Sequence, residues 1–194
     1  MADATAEPEY HLFPVFCTAE IPVEMINEFL SADPMQEAPL WTLVRSPEQE
    51  SFDIPTLPPI EAFTSGFLGA SFEDLVSYDK AHFLPGYDAQ IDVNCFVVMD
   101  ARTLKDQTVA FHVLEYWPRR YEEEDPDAYE GSDGDDEVEG WKSVRFRIRS
   151  ASALIYWVSE YGLWILEQDE TLVPENGIMK DSDMFKDEEQ LREV

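Results

Sequence analysis

The sequence is poor in basic residues, in histidine and in cysteine. Against 42 Asp and Glu residues it has 13 Lys and Arg residues, which gives a formal net charge of −29. A surface with this charge repels phosphates and anionic lipids, so we expect neither nucleic-acid binding nor membrane binding. Hydrophobic residues still make up 44% of the 194 residues, which is enough to build a folded core.

Cysteine is scarce: the chain has only Cys17 and Cys95. Two distant thiols form neither a disulfide scaffold nor a metal cluster, which indicates a reducing compartment. The acidic first ten residues do not resemble a secretory signal, and the longest apolar run, at 153–166, is interrupted and too short for a membrane span. We therefore expect the protein in the cytoplasm, with the nucleus as the alternative.

The N-terminal segment is acidic throughout, with eight acidic residues and neither Lys nor Arg within positions 1–44. We expect residues 1–40 to be an extension that carries one short helix. Ile21–Leu30 has the apolar spacing of an amphipathic helix, and Pro22 suits its first turn.

Residues 41–172 are expected to form one core domain, and residues 173–194 a polar tail. The patterning predicts strands at 40–45, 91–99, 108–117 and 142–149, helices that begin at Ser71 and near residue 153, and irregular connections at 46–60 and 100–104. The strand at 91–99 is almost entirely apolar, so it should be the centre of the sheet. The expected fold class is α+β: a mixed, largely antiparallel sheet packed by two or three helices, in a single domain.

An acidic insertion lies between the last two predicted strands. Residues 121–140 contain eleven acidic residues and no basic ones, a composition that predicts a hairpin extension without its own core. A calcium loop counted from Asp125 or Asp133 has no glycine at its sixth position, so we expect no dedicated metal site and no cofactor. The candidate partner-binding acids are in this insertion: Glu122, Glu123, Glu124, Asp125, Asp133, Asp135, Asp136 and Glu137.

One segment supports a family resemblance. Phe96–Leu104 reads FVVMDARTL and resembles the F-x-V-A-D-A-x-T-L segment of a small acidic, mostly bacterial domain family of unknown function. In that family a segment like Ser71–Leu75 comes before it, and an F-R-V strand that leads into a Trp-containing helix follows, as in 146–160 here. The resemblance covers about residues 41–172. It implies an intact domain and no particular activity.

Residues with recognisable chemistry are few. Motifs for nucleophiles, phosphate loops and zinc proteases are absent, and the three histidines lie far apart. If the protein is an enzyme, we expect His112 to act as a base together with Asp100 or Tyr116, because an imidazole bonded to a carboxylate can accept a proton. The alternative is a half-buried structural histidine.

A row of arginines is the other candidate site. The strand predicted at 142–149 alternates, and this places Arg145, Arg147 and Arg149 on one face. Such a row can bind carboxylates or phosphates in a bidentate manner. The alternative is ion pairing with acidic residues of neighbouring strands, such as Glu115.

Two functional hypotheses follow. The first is a non-catalytic acidic interaction protein that binds a basic protein partner, as inhibitors, immunity proteins and nucleic-acid mimics do. The second is a small cofactor-independent enzyme that acts on a small anionic metabolite through His112, Asp100 and the arginine row. A cavity that converges on those residues would favour the enzyme. A third interpretation, in which the charge serves only solubility, stays open.

Overall fold

The structure is a computed structural model that describes residues 12–32, 41–52, 54–83, 91, 94–118, 137–151 and 155. The regular elements follow in chain order: β1 (Phe13–Cys17), α1 (Val23–Ser31), β2 (Trp41–Val44), α2 (Phe72–His82), β3 (Cys95–Met99), α3 (Thr103–Asp106), β4 (Thr108–Pro118) and β5 (Glu137–Arg147). A 3-10 turn at Ile148–Ser150 follows β5.

The five strands form one sheet in the order β2-β1-β3-β4-β5. β1 pairs in parallel with both β2 and β3, whereas β4 pairs antiparallel with both β3 and β5. Because β4 and β5 run alongside each other for eleven residues each, the antiparallel part is the larger. The mixed α+β sheet predicted from the sequence is confirmed, and β3 is its middle strand, as the apolar run at 91–99 indicates.

The two longer helices cover opposite faces of the sheet. Successive strand residues point to opposite faces, so the sheet supports two separate cores. On one face α1 buries Ile26, Phe29 and Leu30, and on the other α2 buries Leu75 and Tyr78. Since α1 connects β1 to β2 and α2 connects β2 to β3, the strand order reverses beside β1, and such a reversal leaves a crevice at the carboxyl ends of the strands.

The helix boundaries follow local rules. The Ser71 hydroxyl accepts a hydrogen bond from the Asp74 N–H at 3.2 Å, and the Asp74 carboxylate accepts one from the Ser71 N–H at 2.9 Å. This reciprocal pair is a capping box, and it confirms the helix start predicted at Ser71. The helix predicted at 21–30 is also confirmed as α1, which begins directly after Pro22.

The sequence patterning missed β1. Its signal is the apolar run from Leu12 to Cys17, which Pro14 interrupts, and proline normally argues against an inner strand. The ladder with β3 covers Val15–Cys17 and so begins after the proline. β1 and α1 are therefore part of the sheet and its core.

Other differences concern the ends of elements. The connection predicted at 100–104 ends in the first residues of the single-turn helix α3, and Asp100 accepts hydrogen bonds from the backbone where this helix begins. β5 starts earlier than predicted and ends at Arg147 instead of residue 149. Three predicted segments lie outside the described residues: most of the acidic insertion, the tail at 173–194 and the helix near residue 153, of which only position 155 is described. None of the helices in the described part has the length and apolar character that a bilayer crossing requires.

Candidate functional site

The carboxyl ends of β1 and β3 lie side by side, since Cys17 is the register partner of Met99. The Thr18 N–H donates to the Met99 carbonyl at 2.9 Å and extends the contact past the strand end. Ligands of sheets with parallel strands bind in the crevice at this edge. Two groups of residues occupy the edge here: a polar network after β3 and a cavity after β1.

The polar network is built on Asp100 and Arg145. The Arg145 guanidinium, on β5, donates to both carboxylate oxygens of Asp100, at 2.9 and 2.8 Å. Its Nε donates to the Thr108 hydroxyl at 2.9 Å. A bidentate pair of this kind has a fixed orientation and combines charge with two hydrogen bonds. The guanidinium is therefore bound on two sides within the protein.

The Asp100 carboxylate has further partners. Its Oδ1 accepts the backbone N–H groups of Arg102 and Thr103, each at 3.0 Å. Partial burial raises the pKa of Asp100, but the hydrogen bonds and charge of Arg145, with these two N–H groups, outweigh it and hold the pKa below its ordinary value of 3.8. Asp100 is thus an ionised carboxylate whose oxygens are occupied, which makes it a poor general base.

Asp106 extends the network along α3. It accepts hydrogen bonds from the Thr108 hydroxyl and, at 2.7 Å, from Nε of Arg102. Partial burial raises the pKa of Asp106, and the bonds from Thr108 and Arg102 lower it by more. The network therefore joins α3, β4 and β5 through internal hydrogen bonds.

His112 lies on β4 within an aromatic cluster. Its ring centroid is 5.0 Å from that of Phe72 and 5.1 Å from that of Phe96. Burial lowers its pKa from 6.5 to about 4, the charge of Arg145 adds to the shift, and Asp100 opposes it. His112 is therefore neutral at neutral pH. In the described part of the chain, the Asp100 carboxylate accepts its hydrogen bonds from Arg145, from two backbone N–H groups and from the Thr103 hydroxyl, and not from the imidazole.

The predicted arginine row is not continuous. Arg145 and Arg147 are on β5, but the strand ends there and Arg149 lies in the 3-10 turn. The Arg149 guanidinium forms an ion pair with Glu28 at 2.9 Å, and Glu28 lies on α1. Arg145 and Arg149 therefore form ion pairs within the chain, which is the alternative given above. Their partners are Asp100 and Glu28 and not Glu115.

The remaining predicted site residues have incomplete surroundings. Tyr116 is on β4 opposite Glu139, and its side chain is outside the described part. Glu137 begins β5 opposite Pro118. The other seven candidate partner-binding acids lie outside the described residues: Glu122, Glu123, Glu124, Asp125, Asp133, Asp135 and Asp136.

The second feature of the edge is a cavity of about 260 Å³ after β1. The Ser65 hydroxyl donates to the Cys17 carbonyl at 2.6 Å and accepts the Phe67 N–H at 3.1 Å, which fixes the 63–69 loop against the strand end. Gly69 then turns the loop with a φ of 74°, a conformation that favours glycine. The walls come from the chain leaving β1, from α1 and from this loop; they are mainly apolar and include Ile21, Ile26, Phe63 and Leu68.

The polar groups of the cavity are not arranged for catalysis. Burial raises the pKa of the Cys17 thiol to about 12, so it stays protonated and is a weak nucleophile. The Ser65 hydroxyl is engaged with the backbone. Glu20 is the charged residue among those lining the cavity, and neither His112 nor Asp100 lines it. The arrangement can hold a ligand, but the described lining offers no activated nucleophile.

Local sequence patterns contain no direct signal for this cavity. Two of its walls depend on β1, whose apolar run is interrupted by proline, and on the 63–69 loop, for which the sequence patterning predicted no element. Within the described residues, no three His, Cys, Asp or Glu side chains group as metal ligands. No protein-family model, curated protein or solved structure matches the chain, so the resemblance to the small acidic domain family stays a prediction.

Proposed function

We propose that the protein is a non-catalytic acidic interaction protein that binds a basic protein partner. The observation that carries this proposal is how its charges are used. Arg145 and Arg149 bind acidic side chains of the same chain. By contrast, acidic side chains on two helices and in the loops are exposed to solvent: Glu20, Glu24, Glu48, Glu50, Glu61 and Glu73.

The net charge of −29 supports this proposal through physics that does not depend on a particular pocket. An acidic surface attracts a cationic partner over a distance and accelerates the encounter, and salt weakens this attraction. The acids of the insertion, from Glu122 to Glu137, add to the attraction in this proposal. A basic protein in the cytoplasm or nucleus is the partner that fits, and nucleic acid is disfavoured by the same charge.

The enzyme hypothesis has less support. An acid–base mechanism at His112 requires an imidazole that titrates near neutral pH and a carboxylate free to orient it. Here the pKa of His112 is lowered to about 4, and the Asp100 carboxylate is occupied by Arg145. The cavity after β1 is also lined by other residues, whereas an enzyme of this design needs a pocket at His112.

The test has two steps. A partner is captured on the immobilised full chain at ~50 mM salt, and the captured protein is then purified and its association and dissociation rates are measured. At ~300 mM salt the Debye length falls well below 10 Å, so we expect a basic partner whose association rate drops steeply and whose dissociation rate changes little. Reversing the charges of Glu122, Glu123 and Glu124 should slow association, while His112→Ala should not change it. A captured partner whose association rate is the same at both salt concentrations would overturn the proposal.

A further inference from the structure

The cavity after β1 is the feature of the carboxyl edge that internal contacts do not account for. Its volume is about 260 Å³, below the range of about 300–1,000 Å³ that holds a drug-sized ligand. This size suits one large side chain better than a whole metabolite. Leu68, at the cavity, is 41% exposed, so an apolar part of its lining is accessible from solvent.

The charge around the cavity selects the sign of its occupant. Glu20 lines it and is exposed, and Glu24, also exposed, lies in the first turn of α1. The N-terminus of α1 alone would favour an anion. These two carboxylates oppose an anion there. No Lys or Arg occurs among the described lining residues. The Arg45 guanidinium lies 5.4 Å from the ring centroid of Phe63, and the two carboxylates outnumber this single positive charge. A cationic occupant is therefore favoured.

Resting on the proposed function, we propose that this cavity takes the side chain of an arginine on a basic segment of the protein partner. The aliphatic stem of arginine would lie against Ile21, Phe63 and Leu68, and its guanidinium would bind the Glu20 carboxylate. Arginine satisfies both the apolar walls and the acidic rim, because it has an apolar stem and a planar head that binds carboxylates. Arginine is also enriched among the residues that dominate interface energies.

Glu20 and Glu48 provide a matched pair of variants. Both glutamates are exposed, and Glu48 does not line the cavity. Glu20→Gln and Glu48→Gln each remove one negative charge, so general electrostatics changes equally. Only Glu20→Gln removes a contact to the proposed arginine.

The experiment measures binding of a nine-residue peptide to the full chain at ~50 mM salt. The peptide alternates lysine and glycine and has arginine at its centre; a second peptide has lysine there and the same charge. We expect Glu20→Gln to lower the affinity for the arginine peptide about tenfold, as for a lost charge-assisted hydrogen bond. Glu48→Gln should lower this affinity less than about twofold. The lysine peptide should bind the wild-type chain more weakly than the arginine peptide does, and Glu20→Gln should lower its affinity by a smaller factor. In NMR spectra the amides of Ala19 and Leu68 should shift on binding.

The outcomes separate the two proposals. Equal weakening by Glu20→Gln and Glu48→Gln, with binding retained, overturns the arginine site and leaves the acidic interaction protein in place. Absence of binding by both peptides at low salt overturns both proposals. Tighter binding of an acidic peptide at the Ala19 and Leu68 amides overturns the sign assigned to the cavity.

Discussion

Two neighbouring parallel strands end at the same edge of the sheet, yet their carboxyl ends are used in opposite ways. After β3, the ionised side chains of Asp100 and Arg145 bind each other, and Thr108 completes the network. After β1, apolar walls and an exposed glutamate, Glu20, surround a cavity. Asp100 and Arg145, which the sequence analysis selected as candidate site residues, are thus used for internal contacts. The residues that line the cavity match no functional motif in the sequence.

The difference follows from how many partners each charge has. A partly buried charge is stable only when its hydrogen bonds are satisfied, and Asp100 meets this condition through Arg145 and two backbone N–H groups. Glu20 is exposed and is solvated by water. Among the described residues Glu20 has no ion-pair partner, so a partner protein can bind it without displacing one of them, whereas a ligand for Arg145 has to displace Asp100.

The largest expected effect removes the strand on which both ends depend. Val97 is fully buried in β3, and Val97→Asp places an unpaired charge in the core. This costs several kcal/mol against a total stability of about 5–15 kcal/mol, so we expect an unfolded protein by circular dichroism. A Val97→Asp variant with the wild-type melting temperature would contradict the position of β3. Val97→Ile is the conservative control.

The second effect is a dependence of stability on pH that comes from His112. Its pKa is about 4 in the folded state and about 6.5 in the unfolded state, so the unfolded chain binds the proton first as the pH falls. The contribution to stability is complete above pH 6.5 and is lost between pH 6.5 and about 4, a change of roughly 3 kcal/mol. The lowered pKa values of Asp100 and Asp106 act at lower pH, below 3.8.

Urea unfolding at pH 7.5 and pH 4.5 of the wild type and of His112→Phe tests this. Phenylalanine suits the cluster with Phe72 and Phe96 and does not titrate. We expect the wild type to lose stability relative to His112→Phe at the lower pH. If the difference in the free energy of unfolding between the two proteins is the same at both pH values, His112 is not buried in its neutral form.

The third effect compares two ion pairs of different burial. The Arg145 side chain is 11% exposed in its bidentate pair, whereas that of Arg149 is 84% exposed. Lysine cannot reproduce the bidentate geometry, so Arg145→Lys should lower the free energy of unfolding by roughly 1–2 kcal/mol. Arg149→Lys should change it by less than about 0.5 kcal/mol. Equal effects in urea unfolding would contradict the description of Arg145 as part of an internal network.

The smallest effect on stability concerns the acidic insertion. Replacing residues 121–136 by a short Gly-Ser link retains the ladder from Thr108 with Arg147 to Pro118 with Glu137. Shortening a loop changes closure entropy only slightly, so the melting temperature should stay within a few degrees of the wild type. Association with the basic partner should slow, because nine negative charges are removed. A large fall in melting temperature would show that the insertion contributes to the fold.

The sheet could be predicted from the sequence where apolar patterning and capping agree. The almost entirely apolar run at 91–99 predicted the strand that the structure shows as β3 at 95–99, and Ser71 with the acidic residues after it predicted the start of α2. β1 was missed because Pro14 argues against an inner strand, whereas in the structure β1 has a parallel partner on each side. This omission also concealed the cavity, since a site at the edge of a sheet depends on strand order, which local patterning does not contain.

The partners of charged side chains were the least predictable part. Alternation placed Arg145 and Arg147 on one face correctly, but it did not show that Arg145 binds Asp100, 45 positions away in the chain. Nor did it show that the chain turns after Arg147 and brings Arg149 to Glu28. These contacts are set by the register of β4 and β5 and by the packing of α1.

The most direct test measures stability and peptide affinity together for Asp100→Asn and Glu20→Gln, which remove one charge each. We predict that Asp100→Asn lowers the free energy of unfolding by roughly 1–3 kcal/mol and leaves affinity for the arginine peptide within about twofold. We predict that Glu20→Gln lowers that affinity about tenfold and leaves stability within about 0.5 kcal/mol. The reverse pattern, with affinity lost on Asp100→Asn and unchanged on Glu20→Gln, would contradict the different roles assigned to the two strand ends.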